Sequence, residues 1–205
     1  MSEIKVYVDA TPNLPKNDQT TADVANMLRQ TFEQGLPEAV ERKWQLPFLL
    51  LQRPEDNYLA LLIESRELFV AGYFYSCVAL CGIVGERLTK DLLRASVHVQ
   101  GADGKVLRPA SEAFDQLERV DASALVRFLK AAGLIDDACK KAALDLGELR
   151  NKYAHARVKG QPQDAAAAIG LLQTLVEATV SVFRDFELKP GGLTPKSPST
   201  SETDI

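Results

Sequence analysis

Two histidines, three cysteines, one tryptophan and two methionines are all that these 205 residues hold of those types. An odd cysteine count without framework spacing excludes a disulfide scaffold and fits a reducing compartment. No second Cys or His pair follows Cys77 and Cys81, so a zinc framework has no spacing to build on. Cysteines here read as small hydrophobes, and His98 as a surface residue beside a loop. No apolar run approaches the roughly 18 residues that span a bilayer. The longest, Cys77 to Gly85, is broken by glycines and ends at Glu86 and Arg87. The opening MSEIKVYVDATPNL lacks a basic start followed by an apolar core, which argues against a signal peptide. The expectation is a cytoplasmic protein without a membrane span, metal or cofactor.

Charge of one sign is also scarce. A net charge of −4 opposes wholesale coating of nucleic acid. Its distribution is uneven: Lys140, Lys141, Arg150, Lys152, Arg157 and Lys159 face only Asp145 and Glu148 between 140 and 159. A solvated helix face is the plain reading of such a cluster. This one surrounds Leu149-Arg150-Asn151-Lys152-Tyr153-Ala154-His155, where the second histidine follows an arginine by five residues.

What is abundant is helical periodicity. A first core helix starts near Pro54 and runs through EDNYLALLIESRELFVAG, with Gly72 as its stop. A second runs from Tyr73 to about Ser96, with Cys77, Leu80, Cys81, Val84, Leu88 and Leu92 recurring every three or four positions. Its small residues Ser76, Ala79, Gly82 and Gly85 invite close approach by another helix. A third spans about Asp136 to Ala156, capped by Asp136 or Asp137. A fourth extends from near Gln163 to Phe186, and the short VKGQPQ turn makes the last two an antiparallel hairpin. The fold class is therefore all-α: an up-and-down helical bundle at 54–187.

Around it lie an N-terminal extension (1–53), an insertion (97–134) and a tail (188–205). The extension reads as one helix over Thr21 to Gln34 and a shorter one over Glu38 to Trp44, with IKVYV as a brief edge strand. The insertion, placed across one end of the bundle, holds the turn-prone QGADGKVLRP and two helical stretches, SEAFDQLERV and ASALVRFLKAAG. Gly101 to Lys105 is a turn rather than a phosphate loop. The tail, rich in Pro, Gly, Ser and Thr, reads as disordered from Lys189 onward. Trp44, Phe69, Tyr73, Phe74 and Tyr75 read as core or interface anchors.

Arginine is a permanent phosphate-binding cation and histidine gains or loses a proton near neutrality, so the pair supplies much of what phosphodiester chemistry needs. On a helix Asn151 and His155 lie about 40° apart, whereas Arg150 and His155 are about 140° apart and roughly 7.5 Å along the axis. Aiming both at one phosphate requires a local break in the helix or a two-fold dimer that sets two motifs opposite each other. Glu86 is placed to reach either Arg150 or Lys90, four residues on.

A bundle whose third core helix ends in Arg-polar-x-x-x-His resembles the HEPN superfamily. AGYFYSCVALCGIVGERLTKDLL is likewise similar to the small-residue-rich helix of bacterial HEPN-like families, and the resemblance spans Pro54 to Glu187 without the insertion. It implies a metal-independent endoribonuclease site across a homodimer, leaving 2′,3′-cyclic phosphate and 5′-hydroxyl ends. Arg150 and His155 match the basic pair and Asn151 the polar residue after the arginine, while Lys140, Lys141, Lys152, Arg157 and Lys159 would meet RNA. The settings implied are stress, toxin–antitoxin or anti-phage defence, with an antitoxin or defence protein as partner. Arg157 stands where HEPN toxins often carry a tyrosine two residues after the histidine, which removes support for control by adenylylation. Many HEPN-like domains are binding or assembly modules, so a non-catalytic module for a partner protein or nucleotide is the alternative.

Overall fold

In a computed structural model the described residues are 14–47, 57–100, 104–107, 109–110, 112–114, 120–155, 160–179, 186–189 and 192–195. The described elements are α1 (Asp18–Trp44), α2 (Asn57–Ala71), α3 (Phe74–Ser96), β1 (Val99–Gln100), β2 (Val106–Leu107), α4 (Ala122–Ala131), α5 (Asp137–His155), α6 (Pro162–Thr179), β3 (Phe186–Lys189) and β4 (Gly192–Pro195). The chain divides into two compact units, Met1–Trp44 and Gln45–Ile205. No helix among the described residues is long and apolar enough to cross a membrane.

The second unit is the helical bundle. Helix α3 lies at its centre, packed against α2, α5 and α6, while α4 rests on α3 and α5. Its buried face carries Cys77, Val78, Cys81, Val84, Leu88 and Leu92, the three-and-four spacing of an amphipathic helix. Phe69 from α2, Leu146 and Tyr153 from α5, and Leu172, Leu175 and Val176 from α6 fill the same core. Leu146 and Leu175 both lie beside Gly85, while Tyr153 meets Asp164 nearer the turn, so α5 and α6 run antiparallel.

Local chemistry explains the boundaries. Gly72 adopts φ 84°, and the bonds Tyr73 N–H to Leu68 O (2.9 Å) and Gly72 N–H to Phe69 O (3.1 Å) close α2 in a Schellman turn. Gly133, at φ 71°, closes α4 in the same way through Leu134 N–H to Leu129 O. At the other ends, Asp121 accepts from Ala124 N–H (2.9 Å) and Asp136 from Cys139 N–H (2.7 Å), capping α4 and α5.

Four expectations change. Among the described residues of the N-terminal extension, one continuous helix with Pro37 inside it stands where two were expected. Proline removes one backbone hydrogen bond and bends a helix, and the helical turns on both sides carry α1 through that loss. The fourth core helix is described to Thr179, and Phe186 belongs to strand β3 rather than to that helix. The segment from Lys189, read as disordered, pairs through Pro195: Phe186 opposes Pro195 and Lys189 opposes Gly192. In the insertion, Val99 and Gln100 pair with Leu107 and Val106 as the β1–β2 ladder, and within SEAFDQLERV, read as helical, the described residues 112–114 form a single 3₁₀ turn. The IKVYV segment, the 53/54 boundary, residues 115–119 and residues 196–205 lie outside the described residues.

Candidate functional site

The site grows from the close approach of α3 and α5. A Cβ on Gly82 would lie 2.7 Å from Cβ and Cδ of Arg150, and one on Gly85 would lie 2.8 Å from Leu146 Cδ2. Position 82 therefore needs glycine because the Arg150 stem rests directly on it, while Gly85 gives room to the end of the Leu146 side chain. Of the four small residues read from the sequence, Gly82 and Gly85 make this contact.

With its stem laid over Gly82, Arg150 extends its guanidinium along α3 to Glu86, Nη1 to Oε2 at 2.7 Å. The other carboxylate oxygen of Glu86 takes Lys90 Nζ at 2.8 Å, one helical turn on. Both partnerships read for Glu86 are thus present together. Partial burial opposes its ionisation, but Lys90 and then Arg150 outweigh that and hold its carboxyl below the ordinary range. Arg150 remains 39% exposed. It edges a cavity of about 410 Å³ between α3, α4 and α5, whose wall is apolar at Val126, Leu146 and Leu175 and whose rim includes Asn151, Ser123 and Asp121.

His155 stands elsewhere. It is the last residue of α5, exposed, and not part of that cavity wall. Because α5 is unbroken from Asp137 to His155, the separation of about 140° between Arg150 and His155 holds, and one chain does not bring the two together. A local helix break between them is therefore ruled out. Asn151, exposed and four residues before His155, shares its side of the helix and also reaches the cavity rim.

The end of α5 is firmly held by Tyr75, read from the sequence as an anchor, by Tyr153, read as a packing residue or a base-stacking surface, and by Gln161 and Asp164, which the sequence reading did not single out. Tyr153 is buried, its ring 5.5 Å from that of Tyr75, and the Tyr75 hydroxyl donates to the Tyr153 carbonyl at 2.7 Å. The Tyr153 hydroxyl donates to Asp164 Oδ2 at 2.8 Å and accepts from Gln161 N–H at 3.1 Å. Burial raises the Tyr153 phenol, while bonds from Lys152 and Tyr153 lower the Asp164 carboxyl. Tyr153 is thus a packing residue with no free face for a base. The available signal was Asp164, an acid in the first turn of the next helix, one short turn away.

The basic cluster is partly neutralised where it stands. Lys141 pairs with Asp145, and Lys152 pairs with Asp164 at 2.9 Å. Lys140 is half-buried on α5, and Arg157 and Lys159 lie outside the described residues. His98 is exposed, Cys77, Cys81 and Cys139 are buried free thiols, and burial pushes Cys139 up to about 11. Among the described residues no three His, Cys, Asp or Glu side chains are grouped to hold a metal ion. Of the aromatic anchors, Phe69 is buried with its ring 6.0 Å from Phe74, whereas Tyr73 and Trp44 are largely exposed. Neither protein-family models, nor curated proteins, nor solved structures yield a match to this chain.

Proposed function

We propose that the chain is a HEPN-type, metal-independent endoribonuclease acting as a homodimer. The observation that carries this reading is the exposed His155 at the braced end of α5, five residues after a guanidinium that stays 39% open to solvent. In the reaction a ribose 2′-hydroxyl attacks the adjacent phosphorus and the 5′-oxygen of the next nucleotide departs. That leaves a 2′,3′-cyclic phosphate and a 5′-hydroxyl. His155 exchanges the proton with the attacking or leaving oxygen, and Arg150 faces the charge that builds on the phosphorane. Glu86 occupies one Arg150 nitrogen, and a guanidinium has five N–H donors, so a phosphate finds others free. The unbroken helix keeps the two side chains of one copy apart, so the reading requires a second copy to bring its own α5 to the same cleft. RNA and a second copy are the partners, and the setting implied by the HEPN resemblance is stress, toxin–antitoxin or anti-phage defence.

The Arg150–Glu86 pair also favours a second reading, a non-catalytic module in which the arginine is a structural cross-brace. RNA integrity in chelator-containing buffer separates the two. Wild type should cleave, His155→Ala should lose about 10²–10⁴-fold in rate and Arg150→Ala about 10²–10³-fold. Undiminished cleavage by both variants overturns the ribonuclease reading. Intact RNA with wild type across varied substrates favours the module.

A further inference from the structure

The cavity between α3, α4 and α5 has a wall that the HEPN resemblance leaves out, because α4 belongs to the insertion at 97–134. At about 410 Å³ it falls within the roughly 300–1,000 Å³ of small-molecule sites, and like them it joins apolar walls to a few polar groups. Val126 of α4 and Leu146 of α5 are buried and supply apolar sides. Gly147 keeps room beside them, since a Cβ there would meet nothing within 4 Å. The polar groups are of both kinds. The Asn151 amide is at once donor and acceptor, and its side chain makes no hydrogen bond among the described residues. Asp121 takes the Ser123 hydroxyl at 2.6 Å and Ala124 N–H at 2.9 Å on Oδ1, which leaves Oδ2 to accept from a ligand. Those two bonds hold its carboxyl below the ordinary range, so it stands ionised at neutral pH. At the edge, Arg150 gives Nη1 to Glu86 and keeps further N–H donors.

We infer that the cavity is a subsite for one unpaired base of the RNA, guanine, which enters while its phosphate stays outside on Arg150. The inference rests on the ribonuclease reading for its substrate, and it gives the insertion a task, the choice of sequence beside the cut. Charge sorts the two halves of the nucleotide. A phosphate drawn into the cavity would meet the carboxylates of Asp121 and Glu86, whereas a base is neutral and brings an apolar face to Val126 and Leu146. Only an unpaired base has its pairing edge open to such groups. Guanine suits the polar set better than the other bases. It presents neighbouring ring and exocyclic N–H donors that a carboxylate accepts together, with O6 and N7 as acceptors for an amide or guanidinium N–H. Adenine and cytosine set their amine beside a ring acceptor that a carboxylate repels, and uracil holds a single ring N–H between two carbonyls.

The test separates binding from cleavage. The full chain carrying His155→Ala, so that no strand is consumed, is titrated by fluorescence anisotropy with short oligouridine strands whose central residue is uridine, adenosine, cytidine or guanosine. The guanosine strand should bind about tenfold tighter than the uridine strand, the discrimination of one good two-point base contact. Added to that chain, Gly147→Phe, which puts a ring where the cavity has room, should lower this advantage by about threefold or more. Asn151→Ala should do the same, and as an exposed change it keeps the test independent of how well the bundle accommodates phenylalanine. Four strands that bind equally, or not at all, overturn the inference. A guanosine advantage that survives both substitutions overturns it too, as does a stronger preference for another base. Wild type with the same strands tells the two readings apart. A guanosine preference without cleavage overturns the ribonuclease reading and leaves the subsite standing, and cleavage without a base preference does the reverse.

Discussion

Helices α1 and α3 are of similar length, 27 and 23 residues, yet α3 buries eleven residues and α1 none. Both carry apolar residues at helical spacing. On α3 those residues share their face with glycines, and α5 comes close enough for the Arg150 stem to lie on Gly82. On α1 they spread over a band of the helix surface, and none of its residues is buried. Apolar spacing specifies a helix and the face it will bury. What covers that face is set by small residues and by the elements adjoining it along the chain.

The comparison breaks most sharply on paired leucines. Leu172 of α6 is wholly buried in the bundle, and Leu172→Ala should cost about 2–5 kcal/mol in chemical denaturation. Leu36 of α1 is 42% exposed, and Leu36→Ala should leave the main unfolding transition within about 0.5 kcal/mol. Equal costs at the two positions would mean that α1 contributes to the bundle core.

A smaller effect tests the close approach itself. Gly82→Ala places its Cβ against the Arg150 stem near the α5 backbone, where a side chain has little room to yield. Overpacking of this kind should cost about 1–3 kcal/mol and shift Arg150 from Glu86. Gly147→Ala, with nothing within 4 Å of the added carbon, is its control on α5 and should stabilise by a few tenths to about 1 kcal/mol. Denaturation midpoints of the two variants check the pair, and similar losses would remove the role assigned to Gly82.

These elements also mark what a sequence reader sees. The apolar stripe of α3, the Asp136 cap and the Gly72 stop are local signals, and each appears where the sequence places it. The break expected between Gln34 and Glu38 does not occur, since Pro37 lies inside α1 and a proline is compatible with a bend as well as an end. The β3–β4 ladder was hidden by composition: a segment rich in Pro, Gly, Ser and Thr reads as disorder, although its Pro190-Gly191 step is also a turn signal. At the candidate site, the 140° between Arg150 and His155 followed from helix geometry, and Glu86 was legible as a partner of Lys90 or Arg150. The brace of Tyr75, Tyr153, Gln161 and Asp164 was not. Tyr75 and Tyr153 are 78 residues apart, and a pairing at that range leaves no period in the chain.

The finest comparison is between the ionised brace and the apolar packing around it. The Glu86 carboxyl is held below its reference value of 4.5 by Lys90 and Arg150 against the opposing effect of burial. The unfolded chain therefore binds this proton more tightly than the folded one, and stability rises with pH through the interval between the two values. The contribution is complete above about pH 4.5 and disappears as the pH falls through the lowered folded value. With Arg150 39% exposed, solvent screening limits it to about 1 kcal/mol or less. Glu86→Gln should therefore flatten the fall in denaturation midpoint on acidification from neutral pH. Lys90, only 5% exposed, loses a counter-charge in the same variant and adds a loss at neutral pH, so the slope rather than the offset isolates the Glu86 proton. Parallel curves for wild type and variant would mean that Glu86 titrates alike in both states, leaving glycine-mediated packing rather than the ion pair to hold α3 against α5.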